Sequence, residues 1–140
     1  MSTERILLSF DFGMKRIGVA VGQRITKTAN PLTTLAAKAG EPDWHQVDAL
    51  VKKWRPDAFI VGIPLNMDGT DQPITHAARH FAQSLIKHYE LPVHEMDERL
   101  TTKAAREALF EAGGYKALQS GEVDQFAAKI LLENWFLRFP

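Results

Sequence analysis

Short apolar runs come first along this chain and amphipathic stripes later, and their order predicts the architecture. Residues 6–10 (Ile-Leu-Leu-Ser-Phe) form a short, largely apolar run that ends at Asp11-Phe12-Gly13, which reads as a strand followed by a turn. Residues 17–21 (Ile-Gly-Val-Ala-Val) read as a second strand, and Gly13, Lys15 and Arg16 suit a tight hairpin between the two. Residues 29–35 give a weaker third strand, in which Pro31 suits an edge position because it has no N–H to donate.

Asp43 then opens a helix. Gln46 follows three residues on, Trp44, Val47, Val51 and Trp54 share one face, and Pro56 ends the stretch. Residues 58–63 (Ala-Phe-Ile-Val-Gly-Ile) are apolar at every position, the signature of a strand covered by helices on both sides. A loop over 64–70 leads to a helix that starts at Pro73 and buries Ile74, Ala77, Ala78, Phe81 and Leu85. Residues 91–96 read as a fifth strand. One helix is expected from about Thr101 to Gly113-Gly114, and another from about Glu122 to Arg138 with Val123, Phe126, Ala127, Ala128, Ile130 and Leu137 as its apolar positions. Hairpins first and crossovers later predict an α/β fold, a mixed sheet with helices on its faces.

Composition narrows the chemistry. The 140 residues suit a single domain spanning 1–140. With no cysteine, disulfides, thiolate zinc sites and a cysteine nucleophile are excluded. No leader pattern and no membrane-length apolar run is found, so a soluble, cytoplasmic protein that engages no membrane is expected. Seventeen basic and seventeen acidic residues cancel, which argues against an indiscriminate nucleic-acid binder but not against a nuclease whose acids gather in a metal site.

Metal-assisted phosphodiester cleavage needs carboxylates that converge on Mg²⁺ or Mn²⁺. Three places offer them. Asp11 ends the first strand, where a plain turn-forming role is an equal alternative. Asp97-Glu98-Arg99 follows the fifth strand, where a solvated charge cluster is the simpler reading. Asp124 lies in the first turn of the final helix, where the helix dipole alone stabilises an acid by ~0.3–1 kcal/mol. Yet Asp124 shares a face with Ala127, Ala128 and Leu131, and an inward carboxylate needs a partner. His76 and His80 lie four apart with no supporting acid and read as surface residues. Trp44, Trp54 and Trp135 read as core.

Four stretches together resemble one family. Asp11-Phe-Gly-Met-Lys-Arg-Ile-Gly-Val-Ala20, Ile60-Val-Gly-Ile-Pro-Leu-Asn-Met-Asp-Gly-Thr70, Asp97-Glu-Arg-Leu-Thr-Thr102 and Val123-Asp-Gln-Phe-Ala-Ala128 are similar, in order and spacing, to the motifs of the YqgF/RuvX family. Its members are described as Holliday junction resolvases or pre-16S ribosomal RNA nucleases. The resemblance implies a ribonuclease H-like fold with five strands, the first three antiparallel, and helices on both faces. It assigns Asp11, Glu98 and Asp124 as catalytic, metal-holding acids, and Lys15, Arg16, Asn66, Arg99, Thr101 and Thr102 as residues lining the substrate groove. It implies Mg²⁺ or Mn²⁺ as cofactor, structured precursor rRNA as the first substrate and a DNA junction as the second, acted on by a monomer or weak dimer. Related junction resolvases carry a fourth acid one helical turn before the Asp124 position, where this chain has Gly121. A non-catalytic transcription or ribosome-assembly factor is the reading outside enzymes.

Overall fold

In the computed structural model, which describes residues 4–98, 111 and 122–140, one six-stranded sheet organises the chain. The strands are β1 (Ile6–Asp11), β2 (Arg16–Gln23), β3 (Thr28–Lys38), β4 (Glu41–Pro42), β5 (Ala58–Ile63) and β6 (Val93–Asp97). The helices are α1 (Trp44–Trp54), α2 (Pro73–Tyr89) and α3 (Glu122–Arg138). Strand order is β4-β3-β2-β1-β5-β6. The first three strands pair antiparallel, and β5 and β6 run parallel to β1. The sheet is therefore mixed, as its hairpin-then-crossover order requires.

Two expectations need correction. The sheet has six strands rather than five, because β3 runs on past Leu35 to Lys38 and folds back as the two-residue β4. In α3 the buried stripe is Val123, Ala127, Ala128, Leu131, Leu132, Trp135 and Phe136, and Leu137 is 74% exposed. Leu137 lies two residues after Trp135, on the opposite side of the final turn. Pro31 behaves as expected. It sits where β3 is the sheet edge, beside the register shift opposite Val19 and Ala20, so its missing N–H costs no ladder bond. The helix expected from about Thr101, and with it Arg99, Thr101, Thr102 and Gly121, lies outside the described residues save for Glu111.

The two-residue period of the strands sorts their side chains into two cores. Leu8, Phe10, Phe12, Phe59, Val61 and Ile63 point toward α1 and α2 and join Phe81, Leu85 and Val47. The rings of Phe10, Phe12 and Trp44 each stand 5.3–5.8 Å from that of Phe81. Leu7, Ala58, Ile60 and Met96 point the other way, against Leu131, Leu132, Trp135 and Phe136 of α3. Each large apolar side chain so buried contributes about 1.5–3 kcal/mol.

Helix α3 lies unusually close to the sheet because β2 presents Gly18, Ala20 and Gly22 to it. A Cβ at Gly22 would stand 2.6 Å from Leu132 Cδ2 and 2.9 Å from Phe136 Cε2. Ser9, fully buried in β1, donates its hydroxyl to the Ala128 carbonyl at 2.7 Å and ties the helix to the central strand. Ser9→Ala removes this bond while leaving Ala128 its helical acceptor role, so it is expected to cost about 1 kcal/mol. Urea unfolding of the variant checks this, and an unchanged midpoint would show that α3 is held by apolar packing alone.

Candidate functional site

Asp11 is the last residue of β1, and Glu98 follows directly on β6. Parallel strands β1, β5 and β6 end at the same end of the sheet, so the two acids are brought together although far apart in sequence. Both fall on the face that α3 covers. Asp11 continues the series Leu7, Ser9, Asp11, and Glu98 the series His94, Met96, Glu98. Asp11 and Glu98 are each only 6% exposed. The Glu98 N–H donates to the Ile63 carbonyl at 3.3 Å, which holds the chain against β5 one residue beyond the strand.

Glycines make the room. The two residues that pair with Asp11 across the sheet are Gly18 on β2 and Gly62 on β5. A Cβ at Gly18 would lie 1.9 Å from the Asp124 carbonyl oxygen, so the first turn of α3 rests on the bare backbone of β2. A Cβ at Gly62 would lie 2.1 Å from Glu98 Oε2, so the Glu98 carboxyl occupies the space a side chain would fill. Asp124 thereby arrives beside Asp11, on the helix turn that Gly18 admits.

The electrostatics follow from this crowding. Burial pushes the Asp11 carboxyl up to about 6, a hydrogen bond from Glu98 opposes the rise, and the charge on Asp124 adds to it. Burial raises Glu98 further still, reinforced by the Asp11 charge and by the hydrogen bond to it. Two buried charges side by side are costly, so both carboxyls are pushed toward holding a proton, Glu98 the more strongly. Glu98 Oε2, buried against Gly62, has no hydrogen-bond partner among the described residues.

Asp124 is turned partly away. Its side chain is 21% exposed and accepts from Arg16 Nε at 3.0 Å, while Arg16, at the start of β2, is 64% exposed. Accordingly, among the described residues no group of three His, Cys, Asp or Glu stands ready to hold a metal ion. The donor set nonetheless fits a hard divalent cation. It consists of carboxyl oxygens, one pair is buried and short of donors, and a third acid is near enough to raise Asp11.

The remaining expected residues divide. Lys15 lies exposed in the β1–β2 connection. Asn66 lies in the loop after β5, where its side-chain amide donates to Thr70 Oγ1 at 3.0 Å and to the Asp71 carbonyl at 3.2 Å and fastens the turn that Gly69 (φ 87°) closes. Thr75 pins the same loop to α2 by donating to the Pro64 carbonyl. His76 and His80 are surface residues beside Asp71 and Glu41. Sequence reasoning missed Gly18 and Gly62; the available signal was an isolated glycine inside each of two otherwise apolar strands.

Two variants separate space from charge. Gly62→Ala displaces only a side-chain carboxyl and Leu131, so it should fold at a cost of about 1–3 kcal/mol, whereas Gly18→Ala drives a Cβ into helix backbone and should cost more. Thermal melts of both variants decide the order. The buried pair gives a second test. Asp11 and Glu98 both hold protons more tightly folded than unfolded, so their contribution is full below about pH 4 and is lost as pH rises through the folded values. In EDTA, wild type should therefore lose more urea stability between pH 5 and pH 8 than Glu98→Gln does. Equal slopes would show that Glu98 holds no proton.

The family model RuvX, described as Holliday junction resolvase, matches residues 5–138. A protein of Sodalis glossinidius is 49% identical over 140 residues, covering all of this chain and 99% of its own. One from Escherichia coli O7:K1 is 55% identical over 130 residues, 93% of this chain and 94% of its own. Both carry the name "Putative pre-16S rRNA nuclease". Among solved structures, Thermus thermophilus RuvC in complex with a Holliday junction substrate superposes with a TM-score of 0.55 at 18% identity, covering 96% of this chain and 94% of that one. The fowlpox virus resolvase with junction DNA gives 0.54 at 14% identity, over 95% and 97%. At these identities the likeness is one of fold.

Proposed function

The chain belongs to the RuvX family, and on that premise we propose that it is a metal-dependent nuclease that processes the 5′ region of precursor 16S rRNA. The observation that carries the reading is the buried Asp11–Glu98 carboxyl pair, at the end of the central strands where the first turn of α3 carries Asp124. Relatives matched over nearly their whole length bear the corresponding name. Among the described residues one Glu98 oxygen is buried without a hydrogen-bond partner, which supports a role in binding a cation.

Asp11, Glu98 and Asp124 would hold Mg²⁺ or Mn²⁺, which supplies an activated water and a stabilised leaving oxygen to phosphodiester cleavage. The protein's own part is placement. β1 is paired on both sides, so Asp11 is fixed by two ladders. Glu98 must give up its proton to serve as a ligand, which makes activity rise with pH. Lys15 and Arg16, both exposed, would meet phosphate, and Arg99, Thr101 and Thr102 belong to the same motif set. Hydrogen-bonding side chains rather than a large positive charge suit recognition of the 2′-hydroxyls in the shallow minor groove of structured RNA. No helix among the described residues is long and apolar enough to cross a membrane.

The family description favours a second reading, cleavage of four-way DNA junctions. One experiment tests both. With Mn²⁺ at fixed ionic strength, wild type should cut an RNA hairpin from the 16S precursor faster than the matched DNA hairpin or a four-way junction. Asp11→Asn should keep its circular dichroism spectrum and lose on the order of 10²-fold in rate. Faster, paired, symmetric cutting of the junction would replace the RNA reading with the DNA one. Wild-type rates in Asp11→Asn would overturn both.

A further inference from the structure

The ion pair between Arg16 and Asp124 is out of place in a site built to gather acids. It draws one of the three carboxylates toward solvent, and it ties up an exposed cation. Arg16 meets Asp124 through Nε alone at 3.0 Å, and among the described residues its two terminal amino groups have no other hydrogen-bond partner. The pair is solvent-exposed on the arginine side, and exposed pairs of this kind are weak. Asp11, Glu98 and Asp124 would hold a divalent cation, whose charge is twice that of a guanidinium. Asp124 would then exchange Arg16 for the cation, and Arg16 would be repelled by the same Coulombic logic.

From this geometry we infer that Arg16 is a positioning residue that exchanges partners. Without metal it neutralises Asp124 and holds it out of the cluster; with metal bound it is released, and its planar fork takes a phosphate oxygen pair of the nucleic acid. The inference rests on the nuclease reading and adds to it an order of events. Metal enters first, and its entry creates the phosphate-binding arginine. Arginine suits the task better than lysine because one guanidinium can pair in turn with a carboxylate and, through two parallel N–H groups, with a phosphate. Backbone geometry permits the exchange without refolding. Arg16 opens β2 while Asp124 lies in the first turn of α3, and Gly18, two residues along β2, keeps those backbones in fixed contact.

The exchange predicts opposite effects of one substitution on two ligands, which a merely structural role would not produce. In nucleic-acid-free protein, Arg16→Gln should bind Mn²⁺ about two- to fivefold more tightly than wild type, read by electron paramagnetic resonance of free Mn²⁺. With saturating Ca²⁺ in place of Mn²⁺ to suppress cutting, the same variant should bind a fluorescent RNA hairpin more weakly. The slope of log affinity against log salt should shrink by roughly 0.7–0.9, the loss of one phosphate contact. In EDTA the two proteins should bind the hairpin alike. Arg16→Lys should keep Mn²⁺ affinity near wild type and recover only part of the RNA affinity. If wild type binds Mn²⁺ and Arg16→Gln binds it no more tightly, or if the RNA slopes coincide with metal present, the exchange is wrong while the nuclease reading stands. If wild type binds no Mn²⁺ at all, both fall.

Discussion

A carboxyl group in the middle of a sheet needs bare backbone around it, and everything about this site depends on the two glycines that border Asp11. On one side Gly18 lets the first turn of α3 touch β2, which sets the height of Asp124 above the sheet. On the other, Gly62 leaves a hollow that the Glu98 carboxyl fills. Close packing then does the electrostatic work. The acids are buried because the backbones approach, and they are pushed toward holding a proton because burial makes a second charge costly. The same closeness extends along α3 through Ala20, Gly22 and the Ser9–Ala128 bond, so the helix is seated along its length rather than at its tip.

The site balances stability against readiness. A fully satisfied arrangement would surround Glu98 with donors and give it no reason to accept a cation. A fully ionised one would repel itself apart. A proton held on Glu98, and one guanidinium on Asp124, neutralise the cluster by removable means. Each neutralising element would leave if a divalent cation took its place.

Much of this was legible in the chain, for identifiable reasons. β5 announced itself because every one of its six residues is buried, and the helix starts at Asp43 and Pro73 carry explicit local signals. Asp11, Glu98 and Asp124 were found as acids at strand ends and a helix start, and the family resemblance selected them from their neighbours. The extension of β3 into β4 was not legible, since its outer residues are half-exposed and lack an apolar rhythm. Leu137 misled because an apolar residue in the last turn of a helix can overhang the sheet and face water. The Arg16–Asp124 pair, between residues 108 apart, has no local signature at all. Neither has the vertical fit of Gly18, whose partner is a backbone rather than a side chain.

The order in which the chain is made gives α3 a further significance. Of the described elements it is the last to be synthesised, and it both carries Asp124 and covers Leu7, Ile60 and Met96. Before residues 122–138 are in place, Asp11 and Glu98 lack both the helix that buries them and the third acid, and the second apolar face lies uncovered. Docking of α3 therefore closes the second core and brings the third acid to the other two in a single event.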